Sequence, residues 1–169
     1  ATRLYYSNED VTTFNYNQLV ELQHPIARLN ARHSCDKVKK LSAQDLYGLE
    51  PSLLLAEGAL VMLTMNLWPA VGLCNGSTGT VIDIVYSHDS QPPDLPIAVI
   101  VQFDDYSGPS LSNVPNCVPI PPVTATVNMG GVFHERQQVP LKLALALTIH
   151  KSQGLTLKKA TKRPMQPNL

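Results

Sequence analysis

The chain has 169 residues, of which 44% are hydrophobic and 15% are charged, and its formal net charge is zero. A chain of this length can bury roughly two thirds of its unfolded surface without a metal or disulfide staple, and three widely spaced cysteines argue against a disulfide framework. No apolar run approaches the ~18 residues of a membrane span, and the first residues lack the layout of a signal peptide, so we expect a protein that is neither secreted nor membrane-bound.

The first 22 residues predict a strand followed by a helix. Residues 3–6 are β-prone, and Ser7 with Asp10 three residues later forms a variant of the capping box. Apolar residues then recur at helical spacing until His24 and Pro25 end the segment. The basic, irregular residues 26–40 predict a surface loop, and a short helical turn is predicted from residue 42 to 46.

The middle of the chain predicts a β-rich unit. It contains short β-prone runs at 53–55, 59–64, 80–86, 97–103, 118–123 and 132–139, separated by Gly, Pro and Asn turn signals. Such spacing is typical of a small β-barrel or sandwich. The fold class predicted is therefore α/β: a domain begun by residues 1–65, interrupted by a β-rich insertion at 66–137, and resumed at 138–169.

Charge is distributed unevenly along the chain. Residues 41–135 contain nine acidic side chains and no lysine or arginine, whereas residues 136–169 contain seven basic side chains and no acid. Residues 1–40 carry six basic and four acidic side chains. The two ends, and not the middle, are therefore expected to meet a polyanion, unless they are only solvated flanks.

The segment LTIHKSQG, residues 147–154, gathers hydrogen-bonding groups at the end of an apolar run. Residues 141–149 alternate with period two, which favours a strand that carries Thr148 to the end of a core element. Hydroxyl, imidazole, ammonium and glycine backbone N–H groups suit an oxyanion such as phosphate. The alternative is a polar turn from strand to helix, in which Ser152 or Thr156 caps the helix and His150 is solvated; the short motif alone favours neither.

Three other patterns suggest ligand sites only weakly. His33 and Cys35 form an H-x-C pair, but no second pair follows at zinc spacing, so a solvated loop is the better interpretation. The glycine-rich NGSTGTV, residues 75–81, lacks the lysine of a phosphate-binding loop and predicts a hairpin turn. Asp104 and Asp105 follow a strand, yet without a phosphate cradle they predict a solvated turn.

LTIHKSQGLTL resembles motif V of the Pif-like DNA helicases, the petite-integration-frequency group of the RecD-type superfamily 1 helicases, which includes those carried by Helitron transposons. The opening ATRLYYSNEDVTTFN is similar to the motif IV segment of that family. LAEGALVMLTMNLWPAVGLCNGSTGTVIDI, VIVQFDDYSGP and ERQQVPLKLALALTIHKSQGLTL continue the resemblance in the same order. It covers nearly the whole chain, up to about residue 160.

The resemblance implies that residues 1–65 and 138–169 are parts of the second RecA-like domain, ending before motif VI, and that residues 66–137 form its SH3-like β-barrel insertion. It implies ATP-driven 5′ to 3′ translocation on single-stranded DNA with duplex unwinding, using ATP and Mg²⁺ in the complete parent protein. The compartment would be the nucleus or mitochondria in a eukaryote and the cytoplasm otherwise. The implied DNA contacts are Thr148, His150, Lys151 and Ser152; the implied links to the nucleotide cleft are Gln153, Gly154 and Thr156; Ser7 and Asn8 occupy the motif IV position.

The sequence also departs from the family pattern. It contains no G-x-x-x-x-G-K-[ST], no magnesium carboxylate on an apolar strand and no motif VI arginine, so we expect this chain alone to bind neither ATP nor Mg²⁺ tightly and not to hydrolyse ATP. The expected partners are single-stranded DNA and the missing N-terminal RecA-like domain. A second hypothesis is a non-catalytic binding module from a decayed helicase or transposon copy; a phosphate-binding loop in the upstream reading frame would favour the helicase.

Overall fold

A computed structural model describes the backbone of residues 2–5, 8–111, 113–144, 146–148 and 160–162, and the side chains of residues 9, 12–111 and 113–144. These residues form a mixed α/β structure in which strands predominate, in agreement with the predicted class. No helix within them is long and apolar enough to cross a membrane. The elements are β1 (Thr2–Tyr5), α1 (Asn8–Glu21), β2 (Ala27–Asn30), β3 (Arg32–His33), α2 (Asp36–Lys39), β4 (Ser52–Leu55), β5 (Leu60–Leu63), β6 (Thr78–Val85), β7 (Ala98–Phe103), β8 (Cys117–Ile120), β9 (Val123–Met129), β10 (Val132–Gln138), β11 (Leu141–Leu143), β12 (Ala146–Thr148) and β13 (Ala160–Lys162), with 3-10 turns at Ala43–Leu46 and Pro69–Val71.

The N-terminal strand and helix form as predicted. Helix α1 ends at Glu21, and Gln23, with φ 57°, turns the chain toward Pro25. Strand β1 is the centre of a parallel sheet with the order β12-β1-β13, and α1 lies against β1 and β12. Ser7, the predicted helix cap, lies outside the described residues.

The middle of the chain forms an antiparallel sheet of five strands in the order β11-β5-β6-β7-β8. Its inner face buries the apolar side chains that the sequence places at alternate positions, such as Val99, Val101 and Phe103 on β7. Strands β11 and β8 each have one neighbour within the described residues, so the sheet is open there and the predicted closed barrel is not seen. The reason is that β10 pairs with β3 on one side and β9 on the other in a separate sheet, and these strands do not return to β11.

The basic segment 26–40 is not a loop, so that prediction was wrong. It contains β2, β3 and α2, and its strands pair with distant partners: Ala27 lies opposite Leu55, and Arg32 lies opposite Gln137. The side chain of Val38, in α2, is fully buried. These pairings bring the basic segment against the β-rich unit.

Arg136, on β10, is a completely buried cation. Its Nε donates to Nε2 of His33 at 2.8 Å. The remaining guanidinium N–H groups donate to backbone carbonyls of the segment that runs from α2 to the 3-10 turn: Leu41 at 2.7 Å, Val38 and Leu49 at 2.8 Å, and Ser42 at 3.5 Å. Burial lowers the pKa of the guanidinium, whereas Glu50 and Asp45 raise it. One of the seven cations assigned to the basic C-terminal part is therefore internal and cannot meet a polyanion.

Gln138, two residues further along the same face of β10, is also fully buried. Its Nε2 donates to the carbonyls of Leu29, at 3.0 Å, and Glu50, at 3.1 Å, and its Oε1 accepts from the N–H of Val139 at 2.9 Å. Arg136 and Gln138 thus donate to backbone carbonyls between residues 29 and 50, which ties this part of the chain to β10.

Candidate nucleic-acid interface

The apolar run at 141–149 does not form one strand. Residues Leu141–Leu143 pair with β5 in the five-stranded sheet, and residues Ala146–Thr148 pair with β1 in the parallel sheet. The chain therefore passes directly from the β-rich unit into the parallel sheet within a few residues.

The carboxyl ends of β1 and β12 lie side by side. Tyr5, the last residue of β1, is opposite Thr148, the last residue of β12, and the two strands are parallel. In open α/β sheets, ligands bind at the carboxyl ends of the strands, where the following loops converge. This edge is therefore the geometric candidate for the phosphate contact that the sequence predicts.

The structure describes the backbone of two of the predicted site residues. Thr148 ends β12, and Asn8 begins α1 directly after β1. The other predicted residues lie outside the described residues: Ser7, His150, Lys151, Ser152, Gln153, Gly154 and Thr156. The first turn of α1 contains Glu9 and Asp10, whose negative charges offset the positive end of the helix dipole, so the start of this helix is by itself a poor site for an anion.

Exposed positive charge is concentrated in one described segment. All exposed lysine and arginine side chains among the described residues fall between Arg28 and Lys40. One of them, Lys39, forms an ion pair in which its Nζ lies 3.0 Å from Oδ1 of Asp36. The strands of the β-rich unit up to Glu135 carry acidic side chains and no cation, which makes their surface a poor partner for a polyanion.

The described residues do not fit ATP with Mg²⁺. Asp104 Oδ2 accepts from Oγ1 of Thr78 at 2.7 Å on an exposed bend. Within residues 74–77 the Ser77 N–H donates to the Cys74 carbonyl, so this glycine-rich sequence is a turn that leads into β6. Among the described side chains, no three His, Cys, Asp or Glu residues cluster as metal ligands would.

His33 and Cys35 have different partners. Nε2 of His33 accepts from Arg136, and burial, followed by the positive charges of Arg136 and Lys39, lowers the pKa of His33 below its usual 6.5. The Sγ of Cys35 lies 3.4 Å from Nδ1 of His134. The H-x-C spacing therefore reflects two separate contacts with alternate residues of β10.

A cavity of mixed polar and apolar lining lies between the 3-10 turn at Ala43–Leu46 and β11. It is lined by side chains from four separate segments, among them Thr64 and Lys142. No local sequence pattern joins residues so far apart, so only the fold could reveal the cavity.

Comparisons with known proteins identify the family. A family model described as the 2B domain of DNA helicase Pif1 matches residues 48–84. The ATP-dependent DNA helicase PIF1 of Xenopus laevis is 34% identical over 158 residues, which are 93% of this chain and 22% of that protein.

Solved structures of Pif1 helicases have a fold similar to that of this chain. The crystal structure of Pif1 helicase from Candida albicans matches 95% of this chain and 38% of its own, with 27% identity and a TM-score of 0.74. Bacteroides Pif1 bound to single-stranded DNA matches 95% of this chain and 34% of its own, with a TM-score of 0.63; at 22% identity this likeness shows the fold alone. The chain thus belongs to the Pif1-like DNA helicases and spans about a fifth of the length of its Xenopus relative.

Proposed function

We propose that this chain is part of an ATP-dependent DNA helicase that moves 5′ to 3′ along single-stranded DNA and unwinds duplex, and that within it the chain grips the DNA backbone. The observation that carries the proposal is the pairing of Tyr5 with Thr148. It aligns the ends of two parallel strands that lead directly into the motif IV and motif V segments. The DNA helicase relatives support the same assignment.

In this proposal the segment after β12 divides into two parts. Thr148, His150, Lys151 and Ser152 donate hydrogen bonds to DNA phosphates, and Lys151 adds a positive charge. Gln153, Gly154 and Thr156 face the nucleotide cleft toward the N-terminal RecA-like domain. A translocase needs this arrangement, because its affinity for DNA must differ between nucleotide states if hydrolysis is to produce net movement.

Nucleotide chemistry is assigned to residues outside this chain. These 169 residues contain no G-x-x-x-x-G-K-[ST] sequence. In the proposed helicase, the N-terminal RecA-like domain supplies the phosphate loop and the Mg²⁺ carboxylate, while this chain contributes DNA affinity and coupling.

Salt dependence of single-stranded DNA binding tests the proposal. The slope of log K against log salt is negative, and Lys151→Ala should reduce its magnitude by about 0.7, the value for one lost phosphate contact on a single strand. Asp89→Asn, at an exposed position of the acidic β-rich unit, changes the net charge by one unit and should leave the slope unaltered. An unchanged slope in Lys151→Ala, or equal changes in both variants, would refute the assignment.

The acidic β-rich unit favours a second candidate, a non-catalytic module that contacts proteins. ATPase activity of the longest natural form of the protein, with and without single-stranded DNA, separates the two. Activity stimulated by DNA supports the helicase, and the absence of any activity supports the binding module.

A further inference from the structure

Strand β9 is the edge strand of the three-stranded sheet β3-β10-β9. Among the described residues its one paired neighbour is β10, so one side of its backbone is free. The strand, Val123–Met129, reads VTATVNM and contains neither a charged residue nor a proline, and its register with β10 is continuous, without a bulge. Charges, prolines and bulges are the usual devices that keep an edge strand from pairing with another chain. The free side of β9 is therefore available to a further strand.

The turn between β9 and β10 determines which backbone groups are free. Gly130 and Gly131 form a two-residue connection with positive φ at both positions, so Met129 and Val132 exchange two hydrogen bonds across it. In an antiparallel pair such bonded residues recur at every second position. The intervening residues of β9 direct their N–H and C=O groups away from β10. They are Thr124, Thr126 and Asn128.

Hydrogen bonds on the other side of β10 agree with this assignment. Glu135 lies opposite Thr126. The Glu135 N–H donates to Ser34 Oγ at 2.8 Å, and its carbonyl accepts from the Ser34 N–H at 3.0 Å. Both backbone groups of Glu135 thus face β3 and not β9. The N–H and C=O of Thr126 have no backbone partner among the described residues, and the Thr126 side chain is exposed.

A second copy of β9 fits this free edge. In an antiparallel pair centred on Thr126, this residue lies opposite Thr126 of the second copy. Thr124 then lies opposite Asn128 of the second copy, and Asn128 lies opposite its Thr124. Each of these three pairs exchanges two backbone hydrogen bonds. The exposed side chains on this face are hydroxyls and an amide, so groups that both donate and accept meet each other and no like charges are brought together.

The opposite face of the pair is apolar. The same register places Ala125 opposite Val127 of the second copy, and Val123 opposite its Met129. In the single chain, Val123, Val127 and Met129 are only partly buried. Pairing covers part of the apolar surface that they expose, which is favourable. The match on both faces, polar against polar and apolar against apolar, favours a second copy over an unrelated peptide.

The charges on the sheet do not oppose the pair. Its exposed charged residues are Arg32 on β3 and Glu135 on β10. Strands in a sheet are about 4.8 Å apart, so the two copies of Glu135 lie on the order of 14 Å from each other, beyond the Debye length of about 8 Å at physiological salt. The two copies of Arg32, one strand further out on each side, are farther apart still.

We propose that β9 is a self-association site at which two copies of this chain join their three-stranded sheets into one sheet of six strands. The order is β3-β10-β9 in one copy, continued by β9-β10-β3 in the other. One pair of edge strands buries less area than the roughly 1,200 Å² of a stable interface, so the dimer dissociates on dilution. This inference concerns the chain itself and does not depend on the proposed function.

Sedimentation velocity of the 169-residue chain over a concentration series, without DNA, measures the association. Thr126→Pro removes an outward N–H that no backbone bond within the described residues uses, and proline is tolerated at such positions of edge strands. The variant should keep the circular dichroism of the wild type at low concentration. Its dimer dissociation constant should rise about 30-fold, the loss of two hydrogen bonds. Thr126→Ala keeps the N–H and is the matched control, with a rise of at most about fivefold.

Amide hydrogen exchange locates the contact in the unaltered chain and provides the test if Thr126→Pro does not fold. Raising the protein concentration should slow exchange at Thr124, Thr126 and Asn128, whose N–H groups face the second copy. Exchange at Val127, whose N–H is bonded to β10, should be slow at every concentration. A chain that stays monomeric at its highest soluble concentration overturns the proposal. So does a dimer that forms equally well in Thr126→Pro, or one that leaves exchange at these three outward amides unchanged.

Discussion

Replacing Arg136 by methionine should destabilise the protein and loosen residues 36–49 from β10. Methionine keeps the aliphatic stem but removes every donor. The carbonyls of Leu41 and Leu49, at 2.7 and 2.8 Å from the guanidinium, then lose this donor, whereas the Val38 carbonyl keeps its bond from the Leu41 N–H at 3.1 Å. Because these acceptors belong to the backbone, no compensating substitution can remove them.

The size of the effect follows from those contacts. A stranded buried acceptor costs about 1–3 kcal/mol, so two of them give roughly 2–6 kcal/mol as a simple sum. Local rearrangement and water entry reduce the sum, and removal of one partner from a buried charged network typically costs about 3–5 kcal/mol. We expect a loss of that size for Arg136→Met. It is a large share of the roughly 5–15 kcal/mol that stabilises a domain.

Urea unfolding followed by circular dichroism measures the loss, with the slope checked for constancy between variants. Arg32→Met, an exposed arginine on the adjacent β3, is the control and should stay within about 0.5 kcal/mol of the wild type. Hydrogen exchange should accelerate most in residues 36–49, the segment that Arg136 holds. If Arg136→Met is within about 1 kcal/mol of the wild type, the guanidinium does not hold this segment.

Two further predictions concern His33 and Gly48. Burial lowers the pKa of His33 in the folded protein below its usual 6.5, so the unfolded chain binds more protons near that pH. The free energy of unfolding is therefore highest above about pH 6.5 and decreases as the pH falls below that value. His33→Gln should reduce the drop in urea midpoint between about pH 7.5 and about pH 5.5, whereas exposed His88→Gln should not; equal drops in all three proteins would contradict this. Gly48→Ala should lose more than about 2 kcal/mol, since backbone strain adds to the contact with Thr64, while Gly130→Ala, with φ +63° and no atom within 4 Å, should lose about 1 kcal/mol. Similar urea midpoints for the two alanine variants would show that the contact with Thr64 is relieved without cost.

The sequence predicted the strands of the β-rich unit well because turn residues punctuate them. The run at 97–103 corresponds to β7 at Ala98–Phe103. Gly130 and Gly131, with φ of 63° and 83°, form the two-residue connection between β9 and β10. Here the local signal and the final structure agree, because the turn residues can adopt backbone angles that other residues avoid.

Segment 26–40 escaped prediction because its strands are too short for alternation to be visible. Strand β3 has two residues, and its partner lies about a hundred positions away, on β10. The burial of Arg136 was not predicted for a different reason, since arginine is almost never fully buried unless it is paired. Its partners are backbone carbonyls, which carry no sequence signature.

The short passage from β11 to β12 also has a mechanical consequence. Strand β11 is hydrogen-bonded to β5 in antiparallel register, and the Ala144 N–H adds a bond to the Leu60 carbonyl at 2.9 Å. These bonds lie across the strand direction, so tension applied along the chain beyond Thr148 would load them in shear, all together and not one after another. The hydrogen bonds between β11 and β5 thus connect the parallel sheet to the β-rich unit and resist a force that acts along the chain.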